Sequence, residues 1–423
     1  MNLKKIRVSG AKNSATRLMA ASLICDEKST FYNFPTQLVD ANHKKRFIEN
    51  VKGVVVFDDE KEIATIDATT LRDELLGDYK YPIRTTYLLV PGLIKKAGIA
   101  KIPYPDGCKI GNRGYDLHVM VWENMGASVT EKENYIEVKA KEFKGAEINF
   151  PITTIGGTET ALICGSIAKG TTTIKNAYIS PEVFDLIKFL RAVGVEIDVV
   201  GNSFIRIQGK KYHRGTSYKV LSDRIEAITW MIFAAISGRS MLIEDVPFDE
   251  MQIPLMHLQE AGVDYFSNKN SVMISEETIK NGIQPFELAT GTHPGVISDM
   301  QPFFVLLGLK ANGISRIYDY RYPERLAYLK ELSKFINGNL EWESGFIKTT
   351  GVAEFKPALA NSTDLRGSMA VLIAAILAGK EEKSKIHNIQ MALRGYNKLE
   401  EKLKNLGYSF QIEKNTISFR GGQ

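Results

Sequence analysis

One pattern recurs along this chain at intervals of about 65 to 75 residues: an apolar helix, a glycine-containing or charged turn, a strand, an amphipathic helix and a strand pair. Six copies can be counted, their first helices opening near Asn13, Arg84, Glu159, Asp223, Asp299 and Asp364. In the third copy, Thr171-Thr-Thr-Ile-Lys-Asn predicts a strand, Pro181-Glu-Val-Phe-Asp-Leu-Ile-Lys-Phe-Leu-Arg-Ala-Val-Gly a helix started by proline, and Val195-Glu-Ile-Asp-Val-Val the next strand. Leu255-Met-His-Leu-Gln-Glu-Ala-Gly and Leu399-Glu-Glu-Lys-Leu-Lys-Asn-Leu-Gly repeat the rhythm, each helix ending at a glycine suited to a left-handed C-cap. Units of this size, mixing helix and strand, are too large for a thin solenoid. They predict an α/β protein with two groups of three repeats, each folded round its own core. The midpoint falls near Tyr218 with no proline-rich, glycine/serine-rich or low-complexity linker, which predicts two crossovers or a compact hinge. The expected division is residues 12–218 against residues 1–11 with 219–423, and a cleft between two similar domains is a usual place for a small-molecule site.

Composition narrows the function classes. A net charge of +5, from 54 basic and 49 acidic residues, is spread without a run of like charge, which argues against a nucleic-acid partner. It suits a small anionic substrate, whose pocket needs only a few converging cations. The apolar stretch Ala370-Val-Leu-Ile-Ala-Ala-Ile-Leu-Ala-Gly reaches about half a membrane span, so no membrane partner is expected. Met1-Asn-Leu-Lys-Lys-Ile-Arg-Val lacks the apolar region of a signal peptide, and the three cysteines are too few for a disulfide framework, so the expected location is cytoplasmic. His43, His213, His257 and His387 show no metal-ligand spacing, nor do Cys108 and His118, and no metal is expected. Neither a mononucleotide P-loop nor a Rossmann glycine fingerprint is present.

Cys25 and Cys164 sit in apolar helical segments, where a thiol is a small core hydrophobe. Cys108 lies instead in Tyr104-Pro-Asp-Gly-Cys-Lys-Ile-Gly-Asn-Arg-Gly-Tyr-Asp-Leu-His, a turn-rich loop whose Lys109 and Arg113 would lower the thiol pKa. The alternative is a basic surface loop with an incidental thiol. Several first helices open on charged or polar residues: Lys12-Asn13, Arg84, Asp223-Arg224, Asp299 and Asp364-Leu-Arg366. Helix N-termini attract anions, and arginines beside them strengthen a site for phosphate or carboxylate. Capping by aspartate accounts for Asp223, Asp299 and Asp364 taken singly, but less well for the arginines. Arg325 and Arg394 stand at the turn into the second helix of their units. Ile155-Gly-Gly-Thr-Glu is a glycine turn before a helix, able to approach a phosphate or ribose or to be plain connection.

Gly10-Ala-Lys-Asn-Ser, Asp106-Gly-Cys-Lys-Ile-Gly-Asn-Arg-Gly-Tyr-Asp-Leu-His, Ser222-Asp-Arg-Ile-Glu, His293-Pro-Gly-Val-Ile-Ser-Asp-Met-Gln, Thr363-Asp-Leu-Arg-Gly-Ser and Arg394-Gly-Tyr together resemble the enolpyruvyl transferases, and within them those that act on UDP-N-acetylglucosamine. The resemblance runs nearly end to end. It implies two inside-out α/β barrel-like domains built from six βαβαββ repeats, with the active site in the cleft between them. It implies a reaction, opening peptidoglycan synthesis, in which an acceptor hydroxyl attacks C2 of phosphoenolpyruvate and phosphate leaves, with no cofactor. By resemblance Cys108 is the acid that protonates C3 and Asp299 the base near the acceptor hydroxyl, with Lys12 and Arg394 also catalytic. Lys12, Arg113 and Arg394 would hold the phosphate and Arg325 and Arg366 the carboxylate, with Arg84 and Asp364 completing the network. Asn13 and Asp299 would meet the acceptor sugar, with Gly114, Tyr115, Asp116, Leu117, Thr154, Ile155 and Gly156 round the nucleotide. The chain departs from the family on that side. Arg113-Gly-Tyr replaces an Arg-Pro sequence, a diphosphate-binding lysine is replaced near Ile152 or Thr153, Arg321 stands where a small apolar residue lines the nucleotide site, and the first hairpin strand is expected to be missing. A different nucleotide acceptor, such as a nucleoside monophosphate, therefore stays open, as does a non-catalytic relative that binds nucleotide. A shikimate-pathway transferase is disfavoured by the cysteine loop.

Overall fold

The computed structural model describes residues 3–72, 83–104, 114–379 and 384–420. These fall into two compact units, residues 10–221 forming one and residues 3–9 with those from 222 onward the other. Each has its own apolar core.

Repetition is visible in the sheets. Among the described residues there are five four-stranded sheets and one of three strands. In the third repeat Glu147–Thr154 runs parallel to Thr171–Ala177, which pairs antiparallel with Phe204–Gln208, which in turn pairs with Glu196–Val200. The fifth and sixth repeats have the same order: Glu287–Thr290, Ile314–Asp319, Phe346–Thr350 and Leu340–Glu343 in one, Leu359–Asn361, Lys385–His387, Thr416–Arg420 and Ser409–Glu413 in the other. A helix joins the first two strands and another precedes the closing hairpin, so each of these three copies is βαβαββ. In the first and fourth copies the leading strand comes from elsewhere in the sequence. Ser217–Lys219 lies parallel to Ser29–Tyr32, and Lys4–Arg7 parallel to Met241–Glu244.

Why helices lie inside and sheets outside follows from their patterning. Arg224–Ser237, Gln301–Leu309 and Leu365–Leu377 are buried almost round their whole circumference, as helices without a polar face must be. They touch one another in sequence, while strands such as Phe204–Gln208 alternate buried and exposed and turn one face to solvent. In residues 10–221 the corresponding interior helices are Lys12–Ala21, Val90–Ala97 with the 3₁₀ segment Arg84–Leu89 before it, and Ile155–Ile167. Among the described residues no helix is long and apolar enough to cross a membrane.

The glycine stops act as their positions predict. Gly194, Gly262 and Gly407, just past the second helices of their repeats, have φ of 108°, 77° and 89°, conformations that side chains with a Cβ disfavour. Two expected helix starts shift. The third helix opens at Ile155, four residues before Glu159, because Thr154 caps it by accepting from the Gly157 N–H. The fifth opens at Gln301, so Asp299 precedes it and does not cap it, whereas Asp223 and Asp364 accept two backbone N–H bonds each at the starts of theirs.

Candidate active site

In the unit containing residues 222–420, Asp299, which precedes its helix instead of starting it, is the carboxylate the arginines meet. Arg325, in the turn after Ile314–Asp319, is 3% exposed. Its Nη1 donates to Asp299 Oδ1 at 2.7 Å and to the Ser298 carbonyl at 3.0 Å, and its Nη2 donates to Asp364 Oδ1 at 2.7 Å. The same Asp364 oxygen accepts the N–H groups of Arg366 and Gly367 at 3.2 Å, so one carboxylate both starts a helix and fixes a guanidinium. Arg366, equally buried, donates through Nη1 to the Gly395 carbonyl at 3.2 Å and stands 5.1 Å over the Tyr396 ring. It approaches Asp299 Oδ2 and Asp223 Oδ2, both at 3.7 Å. Burial alone would lower the pKa of Arg325, but Asp364 and Asp299 outweigh it and raise it above the ordinary arginine value. Arg394 is buried at the end of the short helix Gln390–Leu393, two residues before Tyr396. Arg321 is exposed, its backbone N–H donating to Asp319 Oδ1 at 3.1 Å.

In residues 10–221, Lys12 and Asn13 open the helix Lys12–Ala21, and Lys12 Nζ pairs with the buried Asp40 carboxylate at 2.9 Å. Arg84 Nη2 donates to the Gly114 carbonyl at 2.8 Å, linking the start of one repeat to the segment that leads into the helix Asp116–Asn124. Tyr115 precedes that helix, between the rings of Tyr87 and Tyr104 at 5.9 and 5.8 Å. Asp116 is exposed and Leu117 leans on the core. At the mouth of Ile155–Ile167, Ile155 is exposed, and Gly156 lies so near His118 that a Cβ there would be 3.0 Å from the imidazole. Cys108 and Arg113 lie outside the described residues.

The family described as EPSP synthase (3-phosphoshikimate 1-carboxyvinyltransferase) matches residues 3–403. The chain is 33% identical over 402 residues to UDP-N-acetylglucosamine 1-carboxyvinyltransferase 1 of Caldanaerobacter subterraneus subsp. tengcongensis, covering 95% of each. It is 34% identical over 413 residues to UDP-N-acetylglucosamine 1-carboxyvinyltransferase of Beijerinckia indica, covering 95% of this chain and 94% of the relative. This chain belongs to the enolpyruvyl (carboxyvinyl) transferase family. The enolpyruvyl transferase NikO from Streptomyces tendae has the same fold, with a TM-score of 0.86 over 100% of this chain and 98% of that one at 23% identity. EPSP synthase from Acinetobacter baumannii follows at 0.71, 16% identical, over 95% of each. The two inside-out α/β domains implied by the family resemblance are the architecture of these transferases.

Several groups round the transferase's candidate residues escaped sequence reasoning. Asp40, Arg17, Glu159 and Lys44 are spread over three helices and carry no motif, so only folding brings them beside Lys12 and Asn13. Tyr396 was within reach, since it stands inside Arg394-Gly-Tyr. His118 is held by Thr160 Oγ1 at 2.6 Å and by the rings of Tyr87 and Trp122. Burial first, then Arg84, pushes its pKa down to about 3, so the imidazole is neutral at physiological pH. Cys25 is pushed up to about 11 by burial and Cys164 also lies above the ordinary thiol value, which makes both poor nucleophiles.

Proposed function

We propose that the protein transfers the enolpyruvyl group of phosphoenolpyruvate to a hydroxyl of UDP-N-acetylglucosamine, releasing phosphate and opening peptidoglycan synthesis in the cytoplasm. The observation that carries the reading is the convergence of two buried guanidiniums, Arg325 and Arg366, on the carboxylate of Asp299. Such a pair is a preorganised receiver for the carboxylate of phosphoenolpyruvate, which takes over the guanidiniums and leaves Asp299 a stronger base. Asp299 then removes the proton of the acceptor hydroxyl while its oxygen bonds to C2, and Cys108 delivers a proton to C3. The tetrahedral ketal collapses when C3 gives a proton back and the C2–O bond to phosphate breaks, restoring the double bond. Lys12, Arg84, Arg113 and Arg394 neutralise the phosphate through both steps, with Asp364 fixing Arg325. No cofactor enters this balance. Asn13, Gly114 to Leu117, Thr154, Ile155 and Gly156 hold the acceptor, with Arg321 as a further contact.

The names of the relatives support this acceptor. A second reading keeps the chemistry and changes the acceptor to a nucleoside monophosphate. It is favoured by Ile152, 59% exposed, and its neighbour Thr153, where a diphosphate-binding lysine is expected. Phosphate release from phosphoenolpyruvate with UDP-N-acetylglucosamine, with UMP and without acceptor tests both. Release with the first supports the leading reading, and release with UMP alone replaces it by the second. Nucleotide binding without release from any acceptor would make the protein a non-catalytic relative.

A further inference from the structure

Behind Asn13, on the same helix, stands a charge pair that the reaction above does not use. Arg17 Nε donates to Glu159 Oε1 at 2.8 Å, and Glu159 is 1% exposed on the helix Ile155–Ile167. Arg17 Nη1 donates to Asn13 Oδ1 and to Thr16 Oγ1, both at 3.2 Å. Lys44, fully buried beneath them, donates to the carbonyls of Thr16 at 2.7 Å and Thr85 at 3.0 Å. A carboxylate this deep is costly unless paired, and Arg17 with Lys44 supplies the opposite charge that opposes the effect of its burial. The pair also ties the helix bearing Asn13 to the helix whose mouth carries Ile155 and Gly156.

The consequence lies in the amide of Asn13. Its two ends have nearly the same shape but opposite hydrogen-bonding character, so its neighbours decide which end faces outward. A guanidinium has donors only, so Arg17 holds the Oδ1 end. The Nδ2 protons of Asn13 have no hydrogen-bond partner among the described residues. We infer that Arg17, anchored by Glu159, is a positioning residue that sets acceptor specificity: it locks Asn13 as a hydrogen-bond donor, so the acceptor atom read there is a carbonyl, hydroxyl or phosphoryl oxygen. This rests on the proposed role of Asn13 at the acceptor.

The test compares Arg17→Met, Asn13→Asp and the double variant with wild type, measuring KM separately for phosphoenolpyruvate and for the acceptor. Arg17→Met frees the amide to turn, while Asn13→Asp keeps an oxygen toward Arg17 but has no donor. Each raises the acceptor KM roughly tenfold, the double variant is no worse than Asn13→Asp, and KM for phosphoenolpyruvate moves less than about twofold. Glu159→Gln, which still accepts from Arg17, keeps most of the acceptor affinity that Arg17→Met loses. Equal rises in both KM values, or an unchanged acceptor KM in Arg17→Met, overturn the inference. If the wild-type protein transfers to no acceptor, the functional reading fails by itself. Calorimetric nucleotide binding then replaces KM, and a thermal double-mutant cycle of Arg17→Met with Asn13→Ala decides the contact, additivity refuting it.

Discussion

Asp364 performs two tasks with one oxygen, and substitutions can separate them. Its Oδ1 caps the helix Leu365–Leu377 through two N–H groups at 3.2 Å and binds Arg325 at 2.7 Å. Asp364→Ala removes both. Losing the cap costs about 1 kcal/mol. Leaving a buried guanidinium short of one carboxylate costs about 3 kcal/mol, the low end of the range for broken buried pairs, because Asp299 still holds Nη1 at 2.7 Å. The total of about 4 kcal/mol lowers the melting temperature of a unit of this size by roughly 10 °C. Asp364→Asn keeps an oxygen for the cap and loses only the charge, at about 2 kcal/mol and roughly 5 °C. Calorimetry follows both, and the fluorescence of Trp230, buried in the same unit's core, assigns the transition. If Asp364→Asn melts with wild type, the ion pair contributes nothing and the receiver built on Arg325 loses its anchor. If it melts with Asp364→Ala, the cap contributes nothing.

Asp299→Asn should lower kcat by about 10²–10⁴ with a smaller effect on KM for phosphoenolpyruvate, the signature of a lost base; a change confined to KM contradicts that role. Iodoacetamide near neutral pH should label Cys108 and spare Cys25 and Cys164, whose burial raises their pKa values; peptide mapping that finds Cys25 or Cys164 modified in folded protein refutes the assignment. His118 and His213 are pushed down to about 3 and about 4, chiefly by burial, with Arg84 and Lys95 adding to it. Their folded values lie below the ordinary value of about 6.5, so the stability they contribute is complete above it and is lost as pH falls towards 4 and then 3. The melting temperature of the unit containing residues 10–221 should fall across that window, and imidazole proton resonances titrating near 6.5 for both residues would show the prediction wrong.

Legibility in the sequence divides along a physical line. The repeat was readable because each copy carries periodic information: a helix apolar on all sides, a glycine at the stop and an alternating strand pair are local and recur. The arginines were readable because they stand at equivalent places in successive copies. Helix starts were less so. A buried acidic residue such as Glu159 looks like the opening of a helix, yet Thr154 had already supplied the cap, and Glu159 was needed one turn further on as the counter-charge of Arg17. Asp299 looked like a cap and is a partner of two guanidiniums. In both cases a charged side chain near a helix start has two uses, holding backbone N–H groups or holding another charge. The local sequence permits either, and the choice depends on residues far along the chain: Arg17 lies 142 positions from Glu159, and Arg325 lies 26 from Asp299. Long-range pairing of this kind leaves no period in the sequence, so the residues beside the motifs emerge only once the helices are brought together.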